Sequence, residues 1–342
     1  MERLILSLCA LDGVAGHECD VANYIIERIR PFTERLETDA MGNLYALVKG
    51  KQRRKRPVVV CAHTDEVGYL IRTITNTGLL KLVSVGAIDP RIAVGMRMRV
   101  GKSRIRGVIA LKAYHLTTPQ ERKKASLEYE LTLDIGASSK AEAEGLVSVG
   151  DPVVFDYEPQ LFGNNCIKAK ALDDRAGCAI LMKLMEIQPE YDTWFAFTAG
   201  EEIWLRGALP LTRRLNPGAC LVIEGTSAVD FPDVPEHMQG VRMRAGAAVS
   251  VLDRATIYNR AFREDLLQQA NQKGIRWQYR SMDTGGTDAG VLHCEASGAL
   301  ALGVSFPVRN MHTAGLVSYL PDIFSVYRLA ELFIKETGVC DV

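Results

Sequence analysis

Val58-Val59-Val60-Cys61-Ala62-His63-Thr64-Asp65-Glu66-Val67-Gly68 is an apolar run that ends in a histidine and, two residues later, an aspartate. A short run of this kind, bounded by polar residues, reads as a buried strand. In an open α/β sheet the carboxyl ends of strands are where ligands and catalytic groups collect. A His-x-Asp pair there can put the imidazole on a metal, with the carboxylate behind it to fix the ring. Taken alone, the tripeptide fits a structural histidine equally well. What separates the two readings lies downstream.

Around this strand the chain changes texture twice. Before it come an N-terminal helix broken at Gly13 to Gly16, a second helix from Cys19 to Ile29 stopped by Pro31, and a strand-like piece from Asp39 to Val48 with a Gly42-Asn43 turn signal. From Val67 to Phe155 period-two alternation dominates, as in Met96-Arg97-Met98-Arg99-Val100 and Leu127-Glu128-Tyr129-Glu130-Leu131-Thr132-Leu133. Glycines punctuate it at short intervals, which predicts a small β-barrel or sandwich with one helix near Ser139 to Gly145. The arginines at 97, 99, 104 and 106 are expected on a solvated outer face or a partner surface. After Phe155 helices alternate with strands. Helices are expected at Ala176–Ile187, Leu205–Leu215, Asn259–Lys273 and Leu320–Glu336, and strands at Thr193–Thr198, Cys220–Glu224, Ile275–Tyr279 and Leu300–Val304. The predicted fold is therefore α/β, a largely parallel sheet with flanking helices built from residues 1–66 and 156–342. A β-rich domain, residues 67–155, is inserted into it.

Composition narrows the function. With 41 basic and 41 acidic residues the net charge is zero, which argues against nucleic-acid binding by broad electrostatic attraction. The basic run Lys51 to Arg56 has no interleaved aromatic residue and is expected to be a solvated loop. The eight cysteines are scattered without a CxxC, so buried free thiols in a reducing compartment are expected. Leu4 to Leu11 is flanked by Glu2 and Asp12 and carries leucines at helical spacing, so it reads as a helix and not as a signal segment. No apolar stretch reaches the roughly 20 residues that span a bilayer. A soluble cytoplasmic protein with no nucleic-acid or membrane partner is the expectation.

Four further carboxylate or histidine sites fall at strand ends or just beyond. Asp173-Asp174 opens a helix, where an N-cap role is the plainer alternative. Glu201-Glu202 follows the Thr193 strand. Neighbouring side chains on extended backbone point opposite ways, so one glutamate can coordinate while the other addresses a water. Glu224 closes Leu221-Val222-Ile223, and His312 follows the Leu300 strand. Two histidines with several carboxylates at one sheet edge suit Zn²⁺, Co²⁺ or Mn²⁺, and a bridging carboxylate suits two metals. His17, His115, His237 and His293 match no such spacing.

These pieces resemble the cytoplasmic dinuclear metallo-aminopeptidases that form tetrahedral particles, the family of glutamyl, leucyl and lysyl aminopeptidases. The matching motifs are His63-Thr64-Asp65-Glu66-Val67-Gly68, Ala171-Leu172-Asp173-Asp174-Arg175, Glu201-Glu202 with Leu205-Arg206-Gly207-Ala208, Gly285-Gly286-Thr287-Asp288-Ala289, and Arg309 with His312. Leu133-Asp134-Ile135-Gly136-Ala137 and Gly150-Asp151-Pro152-Val153-Val154-Phe155 resemble the family's inserted domain. The resemblance implies two divalent metal ions per subunit, His63 and Glu224 on one, Glu202 and His312 on the other, with Asp173 between them. It implies Glu201 as general base, Asp65 supporting His63, short peptides as substrates, and dimers that pair through the insertion and assemble into a dodecamer. The chain departs from the family pattern at three places. Glu224 stands where many relatives have Asp, Trp204 stands where they usually have Gly, and Thr313-Ala314-Gly315 replaces Ser-Pro-acidic.

The predicted function is thus removal of N-terminal residues from short peptides by a metal-activated water. A metal-dependent deacylase or amidase on small N-acyl substrates is an alternative, because the same chemistry serves both. A non-catalytic scaffold of the same fold is another, though no candidate ligand and no candidate base is missing.

Overall fold

Val58–His63 forms a strand buried along its whole length, as its unbroken apolar run requires. Thr193–Thr198 pairs with it in parallel on one side and Ala219–Ser227 on the other, and Leu300–Arg309 extends the parallel set. Around these four the sheet is antiparallel. Leu44–Val48 and Arg35–Thr38 flank one margin, and Leu316–Tyr319, Cys166–Ala169 and Gln160–Phe162 the other. Ala247–Ser250 adds to Leu300–Arg309 and carries Trp277–Arg280 in parallel, completing an 11-stranded sheet. In the computed structural model, residues 1–123, 128–281 and 285–336 are described.

Side-chain alternation sends successive residues of each central strand to opposite faces. Val58, Val60 and Ala62, with Phe195, Phe197, Leu221 and Ile223, meet a core shared with the helices Glu2–Cys9, Cys19–Ile29, Leu172–Leu184, Arg260–Gln272 and Leu320–Glu336. Val59, Cys61, Ala196, Cys220 and Val222 pack with Leu211 and Leu292 of the helices Ala208–Leu215 and Ala289–Leu292. Cover on both faces is why these strands are apolar throughout instead of alternating. Each fully buried aliphatic or aromatic side chain contributes on the order of 1.5–3 kcal/mol.

The alternating segment closes into a six-stranded barrel of Gly68–Ile74, Leu80–Val85, Thr132–Asp134, Ile105–Ala110, Arg97–Val100 and Pro152–Phe155. Tyr69, Ile71, Leu82, Met98, Val100, Leu133 and Phe155 fill its interior. The predicted helix is there, from Lys140 to Glu144, capped by the Ser139 hydroxyl on the Glu142 N–H.

Some expectations are corrected. Of the Leu127–Leu133 alternation, Leu127 lies outside the described residues, Glu128–Glu130 form a 3-10 turn, and strand begins only at Thr132, opposite Ala110 where Ile105–Ala110 ends. Arg97 and Arg106 are exposed as expected, whereas Arg99 is largely buried. Arg99 lies 2.6 Å from Asp12 and 3.4 Å from Asp156, and Arg104 lies 2.9 Å from Asp12. Part of the arginine-rich face is thus a charged seam between the barrel and the N-terminal segment. The helix expected from Leu205 begins at Ala208, because Trp204 and Leu205 take left-handed φ values of 77° and 55°. Arg56, expected in a solvated loop, instead donates to the carbonyls of Pro217 and Gly298.

Seven cysteines among the described residues are free thiols, five of them buried; Cys340 lies outside the described residues. Among the described residues no helix is long and apolar enough to cross a membrane.

Candidate metal and catalytic site

The four central strands all point their carboxyl ends at one cavity of about 790 Å³. His63 is the last residue of its strand, Glu201 and Glu202 follow Thr198, Glu224 lies within Ala219–Ser227, and His312 follows Arg309. Asp173 enters from the first turn of Leu172–Leu184, behind the strand Cys166–Ala169. All six line the cavity, while Asp65 lies fully buried behind His63.

His63, Asp173 and Glu202 offer donor atoms that all lie within 4.8 Å of one another. His63 Nε2 is 3.5 Å from Asp173 Oδ1 and 4.0 Å from Glu201 Oε2. His312 Nε2 is 3.2 Å from Glu202 Oε2. Glu201 thus reaches toward His63 and Glu202 toward His312, although the pair lies in a bend and turn after Thr198 and not on the extended backbone expected. Glu224 lines the same cavity but is not one of the three clustered donors.

Backbone contacts hold each group. The Asp65 carboxylate accepts the N–H groups of both Glu201 and Glu202 at 3.0 Å, while its Oδ1 lies 3.4 Å from His63 Nδ1. One buried carboxylate thus ties the histidine to the glutamate loop. Asp173 Oδ1 accepts the Gly225 N–H at 2.8 Å, and a Cβ at Gly225 would come within 3.0 Å of it. The His312 ring sits 2.9 Å from the Ala87 carbonyl through Nδ1, which leaves Nε2, the nitrogen facing Glu202, as the one that a metal could take in place of a proton.

Several supporting groups carry no distinctive sequence signal. Asn43 is fully buried. Its side chain accepts the Ala199 N–H at 2.8 Å and donates to the Gly207 carbonyl at 3.0 Å, clamping both ends of the Glu201–Glu202 loop. In the sequence it is only half of a Gly-Asn turn. Asp174 accepts the N–H groups of His63 and Gly177. Glu66 is buried between Lys170, at 2.7 Å, and Arg175, at 3.4 Å, and Arg175 also donates to the Thr64 carbonyl. Two buried cations thereby fix the turn that carries His63 and Asp65. Adjacent acidic residues at 65–66 and 173–174 were the available hint, since buried carboxylates require partners.

The electrostatics follow from crowding. Burial, reinforced by neighbouring carboxylates and opposed by His63, pushes the Glu201 carboxyl well above its usual range. Burial does the same to Glu224, against the pull of Arg280. Burial alone would lower His63, but Asp173 and Asp65 raise it well above its ordinary value. His312 is likewise raised to about 9, because Glu202 outweighs its burial. Burial would raise Asp65, yet His63 and the two backbone N–H groups hold it low. A cluster of nitrogen and carboxylate donors this close, with protons held where cations would relieve them, is suited to a divalent metal. The remaining charged groups of the lining are Arg254 and Arg280.

The sequence pattern of the M42 glutamyl aminopeptidase family matches residues 42–329. The chain belongs to this family. Members are metal-dependent hydrolases acting as exopeptidases, and the M42 chain is an enzyme of that class. An aminopeptidase from the archaeon Desulfurococcus kamchatkensis is 31% identical, with 98% of this chain and 95% of that one covered at a TM-score of 0.93. A TET aminopeptidase from the marine-sediment archaeon Thaumarchaeota archaeon SCGC AB-539-E09 is 30% identical, covering 98% and 96% at a TM-score of 0.94. The Pyrococcus horikoshii TET1 peptidase, described as able to assemble into a tetrahedron or a large octahedral shell, is 28% identical, covering 96% and 98% at 0.86. This M42 chain thus shares with them both the sheet and the barrel.

Proposed function

We propose that the cavity binds two divalent transition-metal ions and removes N-terminal residues from short peptides, with Glu201 moving the proton. The observation that carries the reading is the convergence of His63, Asp173 and Glu202 within 4.8 Å, with Glu201 beside His63. His63 and Glu224 would hold one ion and Glu202 and His312 the other, with Asp173 between. Zinc, cobalt and manganese all suit such mixed nitrogen and oxygen donors. When bound, the metals supply Lewis acidity that polarises the peptide carbonyl and acidifies water. Glu201 accepts the proton of the attacking water and returns it to the leaving amine. Asp65 keeps His63 in one orientation and fixes the backbone of both glutamates. The free α-amine of the substrate finds a carboxylate-rich cavity, which favours a cationic N-terminus over an acylated one.

The barrel is proposed to build subunit contacts as an inserted domain of residues 67–155. Val94, Met96, Val108, Leu146 and Val149 expose apolar surface there, and the similar Pyrococcus horikoshii TET1 peptidase can assemble into a tetrahedron or a large octahedral shell. The sequence also places Met98 beside Val94 and Met96 on such a surface, but its side chain is buried in the barrel core. A dodecamer assembled from dimers, acting in the cytoplasm on short peptides, is the proposed working form.

The test is a panel of aminoacyl-anilides and their N-acetylated counterparts, assayed after chelation and add-back of Zn²⁺, Co²⁺ or Mn²⁺. Metal-restored cleavage confined to free amines is expected. Equal or faster cleavage of the acetylated set would replace the aminopeptidase reading by the deacylase one.

A further inference from the structure

Trp204 lines the cavity two residues after Glu202, yet its side chain is left in water, the residue being 90% exposed. Its backbone sits at φ 77° and that of Leu205 at 55°. A bulky residue at positive φ is a conformational outlier. Such strain persists only where the surrounding structure holds it, and it clusters at ligand clamps. Here the hold is backbone. The Leu205 N–H donates to the Glu201 carbonyl at 2.9 Å, and the Arg206 N–H to the Gly200 carbonyl at 3.1 Å. Asn43 and Asp65 pin the same loop to the sheet. The Trp204 backbone is therefore as fixed as that of the proposed base, while its indole packs on almost nothing in the chain. Ile203, Leu205, Ala255 and Met311 line the same cavity, so its lining is apolar as well as charged.

We propose that Trp204 is a specificity-determining residue whose indole is a platform for an apolar or aromatic side chain of the bound peptide next to the scissile bond. The inference rests on the aminopeptidase reading of the site. A ring carried on a fixed backbone at the cavity offers a large stacking area with only two side-chain torsions to order. The stacked side chain belongs either to the N-terminal residue or to the residue after it; both present the same chemistry to the indole.

W204G is the informative variant, because glycine adopts this backbone without strain. The kcat/KM of wild type and W204G is measured on two tripeptide series, Xaa-Ala-Ala and Ala-Xaa-Ala, with Xaa as Phe, Leu, Ala or Gly, alongside N-acetylated controls. The expected result is that the preference for Phe and Leu over Gly falls roughly threefold to tenfold in one series, mainly through KM, and that W204F retains most of it. The series that responds identifies the stacked residue. W204G should melt no lower than wild type. A selectivity unchanged in both series overturns the platform. So does a fall in melting temperature of several degrees, which would mean the indole packs internally, or a loss of assembly with uniform loss of rate, which would make it a subunit contact. Cleavage of the acetylated controls as fast as the free peptides would instead overturn the aminopeptidase reading itself.

Discussion

Glu201 and Glu202 are chemically identical neighbours whose surroundings differ. Glu201 faces His63 at 4.0 Å and is pushed by burial toward holding a proton, whereas Glu202 faces His312 at 3.2 Å. Replacement by glutamine keeps shape and removes the ability to accept a proton, so the two variants should fail differently. Glu201→Gln should keep its metal and its fold and lose roughly 10²–10⁴-fold in kcat. Glu202→Gln should lose metal affinity first, with activity recovering as metal is raised. Metal titrations read by calorimetry, beside kcat at saturating metal, separate the outcomes; the reverse pattern would exchange the two roles.

At the scale of elements, the seam between the barrel and the N-terminal segment is carried by Asp12 with Arg99 and Arg104. Burial alone would raise the Asp12 carboxyl, but the nearby Lys170 charge, the Arg104 hydrogen bond and the Arg99 charge together hold it below the usual range. A carboxyl depressed in the folded state adds stability above its unfolded value of about 3.9 and loses it as pH falls through the folded value. The stability difference between wild type and Asp12→Asn, read from urea midpoints, should therefore be level above about pH 5 and shrink below about 3.9. A difference independent of pH would mean that the seam owes nothing to this charge.

The same seam shows what the sequence could carry. Met96-Arg97-Met98-Arg99-Val100 reports that alternate residues share a face but not where cover begins, since Met98 and Val100 are buried while Met96 stays exposed. It does not report what covers the other face, so Arg99 reads as solvated until Asp12 is found beside it. The central strands were legible because their apolar runs are short, rich in β-branched and aromatic residues and bounded by polar or turn residues, which favours a strand over a buried helix. The loop after Thr198 was legible in its glutamates and not in its geometry. Nothing about a tryptophan signals positive φ, and a Gly-Asn turn looks the same whether or not its asparagine clamps a loop 156 residues away. His63, Asp173, Glu201, Glu202 and His312 could be named from strand ends and motif order; that they share one cavity needed the fold.

On the scale of the whole molecule, an α/β sheet that gathers donors at its carboxyl edge carries a barrel with apolar residues left in water. The closed assembly proposed from that surface would admit only small substrates, which suits peptides over folded proteins. Sedimentation at micromolar concentration should show a large closed assembly; a fully active monomer would refute that part and leave the chemistry standing. The chemistry has its own decisive measurement. Elemental analysis of the active protein, followed through chelation and add-back, should find two divalent transition-metal ions per chain that leave and return together with turnover. Full turnover in protein that holds no stoichiometric metal, or that survives the chelator, would contradict a metal site at His63, Asp173 and Glu202.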